Sequence, residues 1–459
     1  MIGRDRFDLV VVGGGTGGLV SAQIAAAAGA RVALVEQSRL GGDCLWTGCA
    51  PSKSLLAAAE LAHRMRTADA VGLTPTEPHI DFAAVIAHIE RAQRTIEPQD
   101  SAERLRAAGV ELVLAPAQFE DATTISAGGR ALRFRRAIIA TGSRPAPVPG
   151  FERALTTATI WDLRALPTRL LVLGAGPVGC ELAQGFARLG SRVTLREREA
   201  RLLPGEEPAA SALIARRLAA EGVRVQLGEG ASDAADGEVL LAAGRSPNSG
   251  GLRLERAGVH TDERGAVRVD ERLRTSAPRI YAVGDVTGAM AFTHVAAYHA
   301  RVATVNALFA GRRRVDYRAV PRVTFTDPQI ARVGVTEAQA RARWGERTRV
   351  AAFDLADLDR AIVAGERDGL ARLIGDPRGR LVGATIAAPH AGEAIAELAA
   401  WITVGRRIDD VSHAVHAYPT FAEAPARAAD QYLYAGLTSA RMRVLTRAAL
   451  WVLRARGIG

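Results

Sequence analysis

The sequence predicts an α/β fold in which two similar units are followed by a third unit of a different kind. Residues 7–36 read as an apolar strand, a glycine turn, a helix and a second strand that ends at an acidic residue. Residues 170–197 repeat this order with the same spacing. From about residue 319 onward, strands and helices alternate without another glycine turn of this type. These observations predict two Rossmann-like domains and a C-terminal α+β domain.

The first unit carries the GxGxxG pattern of Gly13, Gly15 and Gly18 between its strand and its helix. Glycines at this spacing permit a tight turn and let a pyrophosphate approach the helix N-terminus, where unpaired N–H groups attract anions. Glu36 follows 23 residues after Gly13, at the end of the next strand. Its carboxylate is suited to accept both hydroxyls of an adenosine ribose, so the unit predicts a dinucleotide site.

The second unit repeats the pattern with Gly174, Gly176 and Gly179, and Glu197 again lies 23 residues after the first glycine. A single GxGxxG is weak evidence, because glycine turns between strands and helices are common. Two complete units with matching spacing therefore predict two bound dinucleotides.

Three further segments each combine a short apolar strand with a glycine turn. They are AIIATGSRP at residues 137–145, LLAAGRSPN at residues 240–248 and IYAVGDVTG at residues 280–288. In open α/β sheets, ligands bind beyond the carboxyl ends of the strands, where such turns lie. The turn residues that we expect to contact the dinucleotides are Thr141, Gly142, Gly244 and Asp285.

The segment GGDCLWTGCAPSK at residues 41–53 holds Cys44 and Cys49 with four residues between them. In a reducing compartment such a pair indicates redox chemistry or metal binding, and a metal would need two further Cys or His ligands. The remaining Cys180 lies within the helix of the second unit and is predicted to pack as a small apolar residue. We therefore expect redox chemistry and no metal site.

Lys53 ends the same segment and is the only lysine in the chain, although lysine and arginine together number 59. Arg serves as the basic residue at every other position. We therefore predict that position 53 needs a compact ammonium group that a planar guanidinium cannot replace.

Length and composition predict a soluble protein of several domains. The 459 residues are too many for a single core, and 48% of them are hydrophobic. The net charge of +10 is spread along the chain without a dense basic block beside aromatic residues, so no nucleic-acid partner is expected. The N-terminal residues lack the features of a signal peptide, and no apolar run is long enough to span a bilayer. We therefore expect a cytoplasmic location.

In their order along the chain, CxxxxC with PSK, the two glycine patterns, ATGSRP, GRSPN and VGDV resemble the pyridine nucleotide-disulfide oxidoreductases. This family contains dihydrolipoamide dehydrogenase, glutathione reductase and mercuric reductase, and the resemblance covers nearly the whole chain. It implies a FAD domain in two parts (1–148 and 269–318), an NAD(P)H domain (149–268) and an interface domain (319–459) that forms a homodimer. It also implies that electrons pass from NAD(P)H through the flavin to the cysteine pair.

The resemblance implies a role for each residue of the cysteine segment. Cys49 matches the thiolate that lies against the flavin, and Cys44 matches the interchange thiol that attacks the substrate. Lys53 matches the lysine beside the flavin N5 edge, which pairs with a glutamate, here Glu181. The residues expected to bind the two cofactors are Gly13, Gly15, Gly18, Glu36, Gly42, Lys53, Thr141, Gly142, Asp285, Gly174, Gly176, Gly179, Glu197 and Gly244.

The segment VHAYPTFAEAP departs from the His-Pro-Thr followed by Glu that family members acting on dithiols carry. Pro419, Thr420 and Glu423 fit this pattern, but Tyr418 stands in place of the histidine. A tyrosine, with a pKa of about 10, is a poor base at neutral pH, so oxidation of dihydrolipoamide becomes less expected. His416 is the alternative base, and in an extended segment it would project to the same side as Tyr418.

Tyrosine at this position resembles mercuric reductase. That enzyme delivers its ion through a C-terminal pair of cysteines, and this chain ends without one. The leading hypothesis is therefore an FAD-dependent enzyme that uses NAD(P)H to reduce a Cys44–Cys49 disulfide and passes the electrons to a small acceptor, such as a disulfide, a quinone or a metal ion. The alternatives are a dihydrolipoyl dehydrogenase, a mercuric reductase without the delivery cysteines, and a flavoprotein redox sensor.

The choice between NADH and NADPH depends on the end of the second unit. Glu197 favours a free ribose 2′-hydroxyl and hence NADH, whereas Arg196, Arg198 and Arg201 are suited to a 2′-phosphate. We expect NADH.

Residues 437–459 are predicted to form a basic C-terminal helix. It is expected to pack on its own protein with the arginines facing outward, and the alternative is weak contact with an anionic membrane surface. Its arginines are Arg441, Arg443, Arg447, Arg454 and Arg456.

Overall fold

The computed structural model of the protein describes residues 6–230, 237–438 and 440–455. The helices and strands up to residue 145 are β1 (Arg6–Val12), α1 (Thr16–Ala27), β2 (Val32–Glu36), α2 (Gly42–Trp46), α3 (Cys49–Arg66), α4 (Phe82–Ile96), α5 (Ala102–Ala107), β3 (Val110–Leu114), β4 (Ala117–Asp121), β5 (Thr124–Ala127), β6 (Arg130–Ile139) and β7 (Ser143–Pro145).

The first unit is built on a sheet with the strand order β3-β2-β1-β6-β5-β4. Strands β3, β2, β1 and β6 are parallel to one another. Strands β5 and β4 continue the sheet beyond β6 and are antiparallel to their neighbours. Helix α1 follows β1 directly, so its N-terminus lies at the carboxyl end of the central strand. This is the dinucleotide-binding arrangement that the first glycine pattern predicts.

The second unit has a parallel sheet of its own. Its elements are β8 (Leu155–Thr156), β9 (Arg169–Leu173), α6 (Pro177–Arg188), β10 (Arg192–Glu197), α7 (Pro208–Ala220), β11 (Arg224–Leu227) and β12 (Glu238–Leu241), in the strand order β11-β10-β9-β12-β8. After β12 the chain forms β13 (Arg245–Pro247), which pairs antiparallel with β7. The chain then returns to the first sheet through β14 (Ile280–Ala282), parallel to β6, and α8 (Thr293–Phe309).

The third unit is an antiparallel sheet covered by helices. It consists of β15 (Pro321–Thr324), β16 (Gln329–Gly334), α9 (Glu337–Trp344), β17 (Arg349–Asp354), α10 (Asp359–Ala364), β18 (Leu370–Gly375), β19 (Leu381–Ala388), α11 (Ala391–Thr403), α12 (Ile408–His413) and α13 (Glu423–Leu437), with the strand order β15-β16-β19-β18-β17. Together the three units confirm the predicted fold class.

The first two units share a core, although each has its own sheet. Leu55 of α3 and Phe82 of α4 belong to the same buried cluster as Phe186 of α6 and the strands of the second sheet. The rings of Phe82 and Phe186 lie 6.1 Å apart between centroids. Because α3 begins at Cys49, this packing fixes the cysteine segment against the second unit.

The C-terminal residues form α14 (Ala440–Ala455), and every residue from 443 to 455 is exposed. Trp451 is 71% exposed and Val444 is 64% exposed. Within one protomer the expectation that this helix packs on its own protein is therefore wrong, since its apolar side chains are exposed as its arginines are. The side chain of Arg441, and Arg456 as a whole, lie outside the described residues. Within the described part of the chain, no helix is long and apolar enough to cross a bilayer.

A buried ion-pair cluster joins the second unit to the third. Arg188, the last residue of α6, donates to both carboxylate oxygens of Glu221 at 2.6 and 2.8 Å and to Asp327 Oδ2 at 2.8 Å. The side chains of Arg188 and Glu221 are only 4% and 6% exposed. Removing one partner of such a cluster leaves an uncompensated buried charge.

We expect Arg188→Leu to lower the free energy of unfolding by about 3–5 kcal/mol, because Glu221 loses its buried partner. Urea unfolding measures this loss. The matched control is Arg164→Leu, which removes an arginine that is 76% exposed beside Glu90. The control should change the free energy by about 1 kcal/mol or less. Equal losses in the two variants would contradict the assignment.

Candidate active site

The two cysteines of the segment lie together at the start of α3. Cys44 is in the short helix α2, Cys49 is the first residue of α3, and both are free thiols. Cys49 Sγ lies 3.4 Å from the hydroxyl of Thr293, the first residue of α8. A hydroxyl from the returning part of the first unit therefore lies beside the pair.

The two thiols differ strongly in acidity. The hydrogen bond from Cys44 lowers the pKa of Cys49 to about 6; burial opposes this shift, while Thr293 and the charge of Lys53 support it. The same hydrogen bond, together with burial, raises the pKa of Cys44 well above its usual value. At neutral pH, Cys49 is therefore mainly a thiolate, and Cys44 keeps its proton.

Lys53 lies one helical turn after Cys49 and pairs with the second unit. Its Nζ is 2.9 Å from Glu181 Oε2 and 3.4 Å from the hydroxyl of Ser52. The ammonium group also lies 4.4 Å from the centroid of the Phe325 ring. The structure therefore brings the predicted partners Lys53 and Glu181 into contact.

Glu181 is 5% exposed and uses both carboxylate oxygens. Oε2 accepts from Lys53, and Oε1 accepts from the backbone N–H of Phe325 at 2.8 Å. Phe325 lies just after β15, so this carboxylate contacts all three units. The sequence offered no signal for Phe325, because its position follows from the packing of the third unit on the second.

The first glycine turn is packed too closely against the neighbouring backbone to accept side chains. Gly13 has a φ of +109°, and a Cβ there would lie 2.4 Å from the carbonyl oxygen of Ala140. A Cβ at Gly18 would lie 1.8 Å from the carbonyl oxygen of Gly13. A Cβ at Gly42 would lie 2.7 Å from Gly15 Cα, so α2 begins against the turn. These contacts exclude side chains and fit a cofactor that approaches the backbone.

Glu36 closes this turn from the end of β2. Its Oε2 accepts from the N–H of Gly14 at 2.5 Å, and its Oε1 accepts from the N–H of Ser38 at 2.8 Å. The hydroxyl of Ser38 also donates to Oε1 at 3.2 Å. A carboxylate has about four acceptor sites, so capacity is left for about one further hydrogen bond, such as one from a ribose hydroxyl.

The second glycine turn has the same construction. Gly174 has a φ of +100°, and a Cβ at Gly179 would lie 1.8 Å from the carbonyl oxygen of Gly174. Nothing lies within 4 Å of a Cβ at Gly176, so the helix N-terminus is open. Glu197 accepts from the N–H of Ala175 at 2.7 Å, as Glu36 does in the first turn.

The turn residues of the three strand-and-turn segments meet where β7 pairs with β13. The hydroxyl of Thr141 donates to the carbonyl of Asn248 at 2.6 Å, and the N–H of Asn248 donates to the carbonyl of Gly142 at 2.9 Å. Gly244 precedes β13 with a φ of +125° and accepts from the N–H of Ala146 at 3.0 Å.

Asp285 belongs to a polar network that reaches the cysteine segment. Its Oδ2 accepts from Ser143 Oγ at 2.7 Å. Arg245 donates to Ser143 Oγ at 2.7 Å and forms an ion pair with Asp43. Since Asp43 precedes Cys44, this network links α2 to the turn at Asp285. Arg245 lies in the GRSPN motif, but its side chain was not among the predicted site residues.

Within one protomer, the predicted residues Tyr418, His416 and Glu423 have different hydrogen-bond partners. Tyr418 is 67% exposed and donates to Asp359 Oδ2 at 3.0 Å. The hydrogen bond to Asp359 and the charge of that carboxylate raise the pKa of Tyr418 above its usual value. Glu423 accepts from the N–H of Thr420 at 3.1 Å.

His416 is directed away from Tyr418. Its Nε2 is 2.9 Å from Glu397 Oε2, and its Nδ1 is 2.9 Å from the carbonyl of Ala414. The side chain is only 11% exposed. His416 and Tyr418 were expected to project to the same side only in an extended strand, and residues 414–420 do not form a strand.

Among the residues that the structure describes, no group of three or more His, Cys, Asp or Glu side chains could hold a metal ion.

Comparison with known proteins places the chain in a family. Residues 7–300 match the pyridine nucleotide-disulphide oxidoreductase family, and residues 320–429 match the dimerisation domain of the same family.

Characterised relatives span nearly the whole chain. A mercuric reductase of Streptomyces lividans is 40% identical, covering 93% of this chain and 96% of that protein. A dihydrolipoyl dehydrogenase of Geobacillus stearothermophilus is 35% identical, covering 92% and 95%.

Solved structures agree with these relatives. LpdA of Mycobacterium tuberculosis superposes with a TM-score of 0.85 at 27% identity, covering 93% of this chain and 99% of that chain. The HOCl-induced flavoprotein disulfide reductase RclA of Escherichia coli, in a Cu(II) complex, gives a TM-score of 0.82 at 27% identity, covering 93% and 99%. The chain belongs to the pyridine nucleotide-disulphide oxidoreductase family and is an FAD-dependent enzyme of that family.

Proposed function

We propose that this enzyme uses NADH to reduce a disulfide between Cys44 and Cys49, and that the resulting thiols pass the electrons to a small acceptor. The observation that carries the proposal is the position of the two thiols at the start of α3, with the hydroxyl of Thr293 3.4 Å from Cys49 Sγ and the ammonium group of Lys53 one helical turn further on. The lowered pKa of Cys49, about 6, and the raised pKa of Cys44 support it. A pair with one thiolate and one protonated thiol at neutral pH is suited to thiol–disulfide exchange.

With a disulfide acceptor, the step runs through the two sulfur atoms in turn. Cys44 loses its proton, for which Cys49 is the hydrogen-bonded acceptor, and attacks one sulfur of the acceptor, so that the first thiolate leaves. The Cys49 thiolate then attacks the sulfur of Cys44, which forms the Cys44–Cys49 disulfide and releases the second thiolate. Before its attack, Cys49 gives the proton that it took from Cys44 to the first departing thiolate, and the second thiolate takes its proton from the solvent.

FAD, when bound, supplies the two-electron transfer from the nicotinamide that returns the cysteine pair to thiols. Its support in this chain is the first glycine turn together with the surrounding turn residues. The residues that would hold it are Gly13, Gly15, Gly18, Glu36, Gly42, Lys53, Thr141, Gly142 and Asp285.

NADH is proposed over NADPH because of the charge at the end of β10. Glu197 lies there and is held by the N–H groups of Ala175 and Glu199 at 2.7 and 3.0 Å. A 2′-phosphate at this position would meet that carboxylate. Of the nearby arginines, Arg198 already forms an ion pair with Glu199, whose Oε1 lies 3.4 Å from its Nε, so part of its charge is compensated without a 2′-phosphate. The residues that would hold the nicotinamide dinucleotide are Gly174, Gly176, Gly179, Glu197 and Gly244.

Two activities named among the relatives are the nearest alternatives. Dihydrolipoyl dehydrogenase needs a base for the dithiol, and Tyr418 has a raised pKa and is hydrogen bonded to a carboxylate. Mercuric reductase is the other activity named among those relatives. Reduction of a disulfide or a quinone by the Cys44–Cys49 pair remains the favoured proposal. The acid-base roles proposed for Tyr418, His416 and Glu423 require that these residues reach the cysteine pair of the partner protomer.

The proposal is tested by turnover. Purified flavin-loaded protein is mixed with NADH in a stopped-flow instrument and then given lipoamide, glutathione disulfide, quinones or Hg(II) in separate experiments. We expect rapid flavin reduction and catalytic reoxidation by at least one disulfide or quinone, with Cys44→Ser abolishing the disulfide turnover. Fast reduction without any catalytic reoxidation would instead favour the redox sensor.

Two further expectations stay predictions. A cytoplasmic location is one of them. Weak contact of the C-terminal helix with a membrane surface is the other, and it is independent of the redox site.

The acidity of Cys49 can be measured directly. In the reduced enzyme, the alkylation rate of Cys49 by iodoacetamide should rise through pH 6 and reach a plateau near neutrality, because only the thiolate reacts and its pKa is lowered to about 6. Mass spectrometry of the Cys49 peptide provides the rate. In Cys44→Ala the rise should move to higher pH, since the largest cause of the shift is removed. A rise confined to the range of an ordinary thiol in the unsubstituted enzyme would contradict this assignment.

Lys53→Met should slow flavin reduction by NADH by about a hundredfold while leaving FAD bound, because a preorganised cation beside developing negative charge is lost. Flavin absorbance in a stopped-flow experiment gives the rate, and the ratio of flavin to protein gives the occupancy. Lys53→Arg is the matched control; it keeps the charge but not the compact ammonium group, so it should retain only a part of the rate. An unchanged rate in Lys53→Met removes the proposed role.

A further inference from the structure

The C-terminal helix α14 presents an apolar surface that nothing within the described protomer covers. Val444, Leu445, Val452 and Leu453 are 39–64% exposed, and Trp451 is 71% exposed. Several exposed apolar side chains on one helix indicate an interaction site for a protein or a membrane.

Charge and apolar character are largely separated around the helix, and Leu450, which is 44% exposed, is the apolar residue that falls among the arginines. Residues 443, 447 and 454 are four and seven positions apart, and this spacing returns to one face because an α-helix has about 3.6 residues per turn. Arg443, Arg447 and Arg454 therefore share a face. Leu445, Ala449 and Val452 fall on the opposite face, with Trp451 between the two.

The helix contains no acidic residue, so its field is purely positive. The whole chain carries a net charge of +10, which repels a second copy of the same helix. The match to the family dimerisation domain ends at residue 429, before α14 begins at Ala440, so the family model does not include this surface. A surface that is anionic outside and apolar below complements both the arginine face and the apolar face of α14.

We propose that α14 is an interfacial helix that docks the enzyme onto a membrane surface rich in anionic phospholipid. Its apolar face enters the boundary between headgroups and acyl chains, with Trp451 at the level of the headgroups, while Arg443, Arg447 and Arg454 contact lipid phosphates. The helix is about 24 Å long by its residue count, and it lies along the surface without spanning the bilayer.

The homodimer strengthens this contact. A single interfacial element of this size gives reversible binding, and stable attachment needs a second signal. Two protomers provide two helices, so that once one is bound the other binds at a high effective concentration. The proposal does not depend on which acceptor the cysteine pair reduces.

The test uses full-length flavin-loaded protein and vesicle co-sedimentation. Vesicles of phosphatidylcholine alone are compared with vesicles of phosphatidylcholine and phosphatidylglycerol in equal parts, and bound protein is measured by flavin absorbance. We expect binding to the anionic vesicles only, weakened by high salt because the charges are screened. Arg443→Gln, Arg447→Gln and Arg454→Gln combined should weaken the partition by roughly a hundredfold.

The matched control removes three exposed arginines from the body of the protein. Arg64, Arg164 and Arg318 are 63%, 76% and 73% exposed, and their combined replacement by Gln changes the net charge equally. This control should keep most of the vesicle binding. Trp451→Ser, which retains every arginine, should weaken binding and make the remainder more sensitive to salt.

Three outcomes of the vesicle experiment overturn the proposal. They are no binding of the unsubstituted enzyme to anionic vesicles, equal binding to both vesicle types, and equal weakening in the two triple variants. A chain ending at residue 437 that loses its dimeric mass would assign α14 to a second copy instead and would also overturn it. NADH-driven reduction of a water-soluble acceptor is measured in parallel. A failure of that reaction contradicts the proposed function without affecting the vesicle result.

Discussion

The ion pair between Lys53 and Glu181 is the contact on which the geometry of the candidate site depends. Lys53 lies one turn after Cys49 on α3, while Glu181 lies on α6 of the second unit and also accepts from the backbone of Phe325 in the third. A carboxylate that is 5% exposed is stable only with its charge compensated and its oxygens bonded. One set of contacts therefore fixes the cysteine helix, the second nucleotide turn and the interface domain relative to one another.

The same arrangement makes the cysteines chemically unequal. The hydrogen bond from Cys44 is the largest cause of the lowered pKa of Cys49, and Lys53 adds to it, while burial and the charge of Glu181 oppose it. Because the two thiols share one proton, stabilising the thiolate at Cys49 necessarily makes Cys44 a weaker acid. The pair therefore holds one negative charge at neutral pH, located at the start of α3, where the helix N-terminus also favours it.

The sequence predicted the parts of the site that backbone sterics determine. A Cβ at Gly18 or Gly179 would lie 1.8 Å from a carbonyl oxygen, so these turns require glycine and leave a readable pattern. The positions of Phe325 and Thr293 follow from packing between units that are distant in sequence, and such packing leaves no periodic pattern. The surroundings of α14 were missed for a related reason: amphipathic spacing predicts a helix and its faces, but not what covers them.

The C-terminal tyrosine bears on the direction of the reaction. Tyr418 lies on an exposed segment of the domain that matches the family dimerisation region, so a second protomer is the element that can bring it to a cysteine pair. Its hydrogen bond to Asp359 raises its pKa, which keeps the phenol protonated at neutral pH. A protonated phenol can donate to a leaving thiolate but cannot take a proton from an incoming dithiol. The chemistry of this residue therefore suits reduction of an acceptor by the cysteine pair more than oxidation of a dithiol substrate.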